Sequence, residues 1–506
     1  MALRIKSTQS ASDCWFNGVR LLLFCVGASL AFGGDPDDKS SQDSQRHAPP
    51  RVLADAYHSH TWIETLPAPG MNNYHLLHGP ARAFSALRQQ GWECKSQLGP
   101  WTDDALRNTD VVYINLVSAD LPPFHPDEID ALERFVSQGG GLFLIIDHSN
   151  CYFHNHVLGN LADRFDLKLH QETLCDRPPH TVGDGNAWIV LSDIRPHPAT
   201  HSVQQFVMMT GGIVDQRMGV VYSSSDSWGD AAVIPPYGES NGPGFYGDFQ
   251  KQPAEVTGPH AAIGAKEWGK GRVFLVGDQN AFGAFAFNYL DNRQLWFSAM
   301  HWLAKQEVGS SSDSHRQEAL PGLALVWCRE PGSDSPLRFA DGGKNGLYHF
   351  FAWINKIADA RGTQRSLRES KVLILPDEHV FRTHKDTREI LDYMQQPERT
   401  VVILSNTPSS PEQVVALPWS EWRQISIPSL NETLGTHHAW EHPSGSKLVW
   451  FQNDKFLNSN FPAPEIPIPP PSQPFVDSLM NFLAEQGVEW GGDSSTSADW
   501  LDELDR

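Results

Sequence analysis

The sequence predicts an α/β protein: a parallel sheet with helices on both faces, in two tandem units of which the second is smaller and degenerate. Three observations carry this. From residue 51 onward, apolar stretches that stop on polar residues alternate with amphipathic helical stretches, the pattern of a parallel sheet covered on both sides. Gly139-Gly140-Gly141 leads into an apolar run that ends abruptly on Asp147 and His148. The order then returns: VVYINL…HPDEIDALERFVSQGGGLFLIID is matched in order of elements and approximate spacing by KVLILP…HKDTREILDYMQQPERTVVILS, the mark of an internal repeat.

The N-terminus reads as an export signal over residues 1–33. Arg4, Lys6 and Arg20 precede an apolar run, and Ser29, Ala31 and Gly33 offer small residues for cleavage. The run is short for a membrane span. The expectation is a periplasmic or extracellular protein, with a retained N-terminal membrane anchor as the alternative. Residues 34–50, rich in Asp, Ser, Gln and Pro, read as a disordered linker.

The first unit spans 51–305. Strands are expected at 52–57, 111–117 and 142–147, with helices at 79–90 and 127–138. Pro80 suits a first helical turn. Residues 151–260 carry many turn residues, and 235–249 is rich in Gly and Pro with no helical period. Order returns at the apolar strand from Gly271 to Gly277, which ends on Asp278. A helix at 292–305 places Leu295, Trp296, Ala299, Trp302 and Leu303 along one face, a core stripe.

A polar linker at 306–320 leads to the second unit, 321–490. Strands are expected at 323–328, 371–376 and 400–404, and helices at 347–358, 384–395 and 475–486. The end, 491–506, reads as an acidic, solvated tail, with a docking peptide as the alternative.

Charge excludes some functions. The chain carries a formal −21, and loss of residues 1–33, with Arg4, Lys6, Arg20 and Asp13, would make it −23. A nucleic-acid binder needs a basic footprint, which is missing here. Four cysteines would remain (Cys94, Cys151, Cys175 and Cys328), open to oxidation after export, in no C-x-x-C spacing that would hold a structural zinc.

The candidate site lies where strands end, since ligands of open α/β sheets bind outside the carboxyl ends of the parallel strands. Asp147 and His148 end one strand and Asp278 ends another, with Asn280 and Asn292 able to add amide contacts. A carboxylate in such a place either meets a ligand or caps the following loop. His58 and His60 follow the first strand, and His154 and His156 follow Asp147. With the two aspartates they form a candidate site for a divalent metal, although no spacing-specific motif is present. Ser149 and Cys151 lack flanking glycines, so the compact turn of a nucleophile elbow is not expected. No phosphate-cradling loop is present either.

The stretches DVVYINLVSADLPPFHPDEIDALERFVSQGGGLFLIIDH and WGKGRVFLVGDQNAFGAFAFNYLDNRQLWFSAMHWLAK resemble the class I glutamine amidotransferase-like superfamily. The likeness is nearest to its exported bacterial branches and more distant to trehalose-utilisation-type proteins, and it covers residues 51–305. It implies a flavodoxin-like sheet with the site at the strand ends. Amidotransferases carry Cys in G-x-C-x-G and a later His-x-Glu pair, where this chain reads Asp147-His148-Ser149-Asn150-Cys151 and Gly277-Asp278-Gln279-Asn280. Glutamine hydrolysis is therefore not expected. The expectation is a non-catalytic protein that binds a small molecule or a protein partner through Asp147, His148 and Asp278. The alternatives are a metal-dependent hydrolase of a carbohydrate or cell-envelope substrate and an interaction scaffold.

Overall fold

The computed structural model describes residues 49–64, 79–181 and 186–306 apart from 243, 284, 285, 288 and 289, and beyond these mainly 370–375, 384–405, 417–430, 437–452 and 473–487. The expected signal, nearly all of both linkers, most of the helix at 347–358 and the acidic tail lie outside the described residues.

The chain opens with β1 (Arg51–Asp55), α1 (Ala81–Gln89), β2 (Glu93–Gln97), α2 (Asp103–Leu106), β3 (Val111–Asn115), α3 (Pro126–Gln138), β4 (Gly141–Ile145) and α4 (His154–Arg164). An irregular excursion holds β5 (Thr173–Cys175), β6 (Trp188–Leu191), β7 (Asp193–Ile194), β8 (Phe206–Met209), β9 (Gly219–Tyr222) and β10 (Trp228–Asp230). The hairpin β11 (Ala261–Trp268) and β12 (Gly271–Val276) follows, and then α5 (Asn292–Leu303).

One eight-stranded sheet runs β2-β1-β3-β4-β12-β11-β9-β7. Its first five strands are mutually parallel, and β11, β9 and β7 pair antiparallel. Numbered along the chain, the parallel strands stand 2-1-3-4-5, the flavodoxin-like order. β3 and β4 are buried at every residue; helices on both sides leave no solvent face, hence the unbroken apolar runs. On one face Phe84, Tyr113, Phe143, Phe274 and Trp296 pack together. On the other, Leu144 and Leu275 meet Ile129, Leu132 and Leu161.

Local chemistry sets the helix that precedes β4. His125 caps α3 with Pro126 behind it, and Glu128 reaches back to the His125 N–H at 2.7 Å to complete a capping box. Gly139, at φ 133°, ends the helix in a conformation that glycine adopts without strain.

A second sheet contains β13 (Ala324–Val326), β14 (Ala360–Arg361), β15 (Val372–Leu375), β16 (Thr400–Ser405), β17 (Arg423–Ile425), β18 (His437–Glu441) and β19 (Lys447–Gln452). Its order is β14-β13-β15-β16-β19-β18-β17. Strand for strand this follows the first sheet, including the antiparallel hairpin that delivers the fifth parallel strand. No helix among the described residues is long and apolar enough to cross a membrane.

Candidate functional site

β4 and β12 are neighbours in register, Ile145 against Val276, so the residues just beyond them leave the sheet side by side. Asp147 follows one and Asp278 the other. A strap from β8 crosses both: Gly212 N–H donates to Gly277 O at 2.6 Å, and a Cβ on Gly212 would stand 2.8 Å from Asp147 O. That close approach requires glycine.

Both carboxylates are buried and tie down loops. Asp147 accepts from His148 N–H at 2.8 Å and from the Gln279 backbone. Asp278 accepts from the backbones of Met209 and Asn280, each at 2.7 Å. Burial pushes Asp278 up to about 7 against these donors. Burial, with Asp278 beside it, holds Asp147 well above the carboxylate range. Asp147 thus caps the following loop and also lines the large cleft above the strand ends.

The segment after Asp147 corrects the sequence reading. A compact turn is present although it holds no glycine: Ser149, Asn150, Tyr152 and Phe153 all have φ between 53° and 57°. Each such residue costs about 1 kcal/mol, so neighbours must impose the shape. Asn150 Oδ1 accepts from Asn155 N–H at 2.8 Å. His154, fully buried, takes Asp147 N–H on Nε2 at 3.3 Å and gives Nδ1–H to Cys151 O at 2.8 Å. The turn delivers Cys151 Sγ to 3.3 Å from His148 Nε2. Burial lowers His148 to about 3 and pushes the Cys151 thiol well up, so both are neutral at rest.

The cleft encloses about 970 Å³ between this floor and a roof of residues 238–241 with Phe245, Tyr246 and Phe249. Tyr152, Phe153, Trp188, Phe245 and Tyr246 give it aromatic walls. Tyr246 lies 4.9 Å from the His148 ring. Asn280 also lines it; its Nδ2 donates to Met209 O, and its buried Oδ1 has no partner. No lysine or arginine occurs among the described residues that line it.

The other expected site residues are placed elsewhere or already engaged. Asn292 is fully buried and its amide is saturated by Val207 N, Val207 O and Ala281 O, so it clips β8 to α5 and does not reach the cleft. His58 lies between Asp55 (2.8 Å) and Glu128 (3.3 Å), stacked on Phe124, where it ties the end of β1 to α3. His60 pairs with Asp120 at the cleft lip. His154 holds the turn from behind, and His156 meets Asn150 at 3.1 Å. The proposed metal donors are thus dispersed, and among the described residues no group of three or more His, Cys, Asp or Glu is placed to hold a metal. Cys94, Cys151 and Cys175 are free thiols.

No family model matches the sequence, and no curated protein does. Several solved structures are similar at low identity. The mmIFT52 N-terminal domain is 12% identical with a TM-score of 0.36, over 51% of this chain and 99% of that one. A ThuA-like protein from Bacteroides uniformis is 14% identical, TM-score 0.28, over 53% of this chain and 95% of that one. Another, from Parabacteroides merdae, is 11% identical, TM-score 0.29, over 51% and 90%.

Proposed function

We propose that the first sheet carries a binding site for a neutral, hydroxyl-rich small molecule of the saccharide class. The observation that supports this is the lining of the cleft: aromatic walls, acceptor atoms on the floor, and no lysine or arginine among the described residues to hold an anion. Its volume, about 970 Å³, lies at the upper end of the range for small-molecule sites. Aromatic faces pack against the C–H faces of sugar rings, and floor acceptors take their hydroxyls. An exported protein would meet such ligands at a cell envelope. Residues 321–490 are read as a second α/β unit.

Calorimetry with maltose, cellobiose and lactose tests the reading, with choline and glucose 6-phosphate as cationic and anionic controls. Expected is binding of at least one neutral disaccharide, weakened about tenfold or more by Trp188→Ala, the loss of one good contact. Binding of choline alone would replace the saccharide with a cation held against the aromatic rings.

A further inference from the structure

The roof of the cleft reaches the His148 imidazole through a chain of hydroxyls. Tyr246 O accepts from Thr173 Oγ1 at 3.1 Å. A hydroxyl has a single proton to give, so Ser149 Oγ, 3.3 Å from Thr173 Oγ1, is the donor between them. Ser149 then has only lone pairs left for His148 Nδ1 at 2.7 Å, and Nδ1 must carry the proton. In a neutral imidazole the second nitrogen is bare. That nitrogen, Nε2, faces Cys151 Sγ at 3.3 Å, and the thiol donates to it.

We infer that the Tyr246–Thr173–Ser149 chain fixes His148 as a hydrogen-bond acceptor at Nε2, and that this acceptor selects ligands whose hydroxyl takes over from the Cys151 thiol as the thiol rotates aside. The selection clause rests on the saccharide reading above; the fixed tautomer does not. Two further observations agree. Asn280 Oδ1, on the same floor, is a second acceptor without a partner. The groups around His148 are Asp147, 3.9 Å away, Cys151, His154 and the Phe245 and Tyr246 rings. Burial together with His154 keeps the imidazole neutral. Thr173 and Ser149 do not line the cleft, so they are positioning residues that act through His148.

Nitrogen NMR of the full chain with isotopically labelled histidine reads the tautomer directly, with His148→Gln identifying the signal. Expected is a protonated Nδ1 and a bare Nε2 from about pH 5 to about pH 8, where an ordinary histidine would titrate. In Thr173→Val, Ser149 can turn its proton toward Nδ1, and a population protonated at Nε2 should emerge. A wild-type Nε2 that carries the proton, or no change in Thr173→Val, overturns the fixed tautomer. Should His148→Gln not fold, the difference between wild type and Thr173→Val identifies the signal instead. In calorimetry with the same disaccharides, Thr173→Val should weaken binding about tenfold, the equivalent of one hydrogen bond. Unchanged binding overturns the selection. The expected tautomer with none of the disaccharides bound overturns both the ligand reading and the selection, and leaves the hydroxyl chain standing.

Discussion

At the scale of single residues, the two buried aspartates should govern how stability varies with pH. Their folded pKa values are raised, Asp278 to about 7 and Asp147 well above the carboxylate range. Their contribution is therefore full below about pH 4, the unfolded value, and is lost as pH rises through the folded values. His148 and His154 are lowered, to about 3 and about 4. Their contribution is present above about pH 6.5 and is lost as pH falls. Between about pH 4 and about pH 6.5 the two trends oppose each other; above that range only the aspartates still titrate. The melting temperature should fall by several degrees between about pH 6.5 and about pH 8.5, since each kcal/mol moves it roughly 2–4 °C in a unit of this size. Asp147→Asn, which removes the more strongly raised of the two titrating carboxyls, should flatten that fall. A melting temperature that rises across the interval would refute the assignment.

At the scale of elements, the site depends on segments that no periodicity announces. The strand-end aspartates were legible because β4 and β12 are buried on both faces, so a carboxylate stands out against an apolar run. The turn 148–153 was not legible. Its left-handed residues are held by Asn150 and His154 through contacts that only folding creates. Asn292 and His58 misled for a related reason: sequence places one at a helix start and the other just after a strand but cannot show that their polar atoms are used by backbone or carboxylate partners. The Gly211-Gly212 pair was the one available signal for the strap across the strand ends. Gly212→Ala should cost about 1–3 kcal/mol, the usual result of forcing atoms into filled space, seen as a lower urea midpoint. Saccharide affinity should fall with it, because the strap packs against Asp147 O and Gly277 O at the strand ends that floor the cleft. Full stability in that variant would mean that the strap can move aside.

At the scale of the whole molecule, the fold was more legible than the function. Alternating patterns gave β1, β3, β4, β12, β13, β15 and β16 and the helices α1, α3 and α5 to within a few residues, but not α4 or the parallel strands β14 and β19. The edge strand β2 and the antiparallel β11 were missed. β2 has no buried residue, and β11 alternates too little to be told from the turns around it. The core depends heavily on a few aromatic residues. Trp296 is fully buried among Phe84, Tyr113, Phe143 and Phe282, with its indole N–H on Ala83 O at 3.1 Å. Trp296→Ala should cost about 3–5 kcal/mol, read as a shifted urea transition. A loss below about 1 kcal/mol, the range of surface changes, would contradict the packing.

The two sheets share a strand order but differ in what separates their matching strands. Residues 146–218 lie between β4 and β9, whereas only 406–422 lie between β16 and β17. The long interval supplies the left-handed turn, the strap and Thr173, and the roof follows it before β11; the sheet supplies only two strand ends. The cleft is thus lined largely by chain outside the parallel strands. Under selection, the excursion is free to lengthen, shorten or change its lining while the sheet beneath it is inherited intact, so descendants of one scaffold can diverge in what they hold without first having to survive a damaged core.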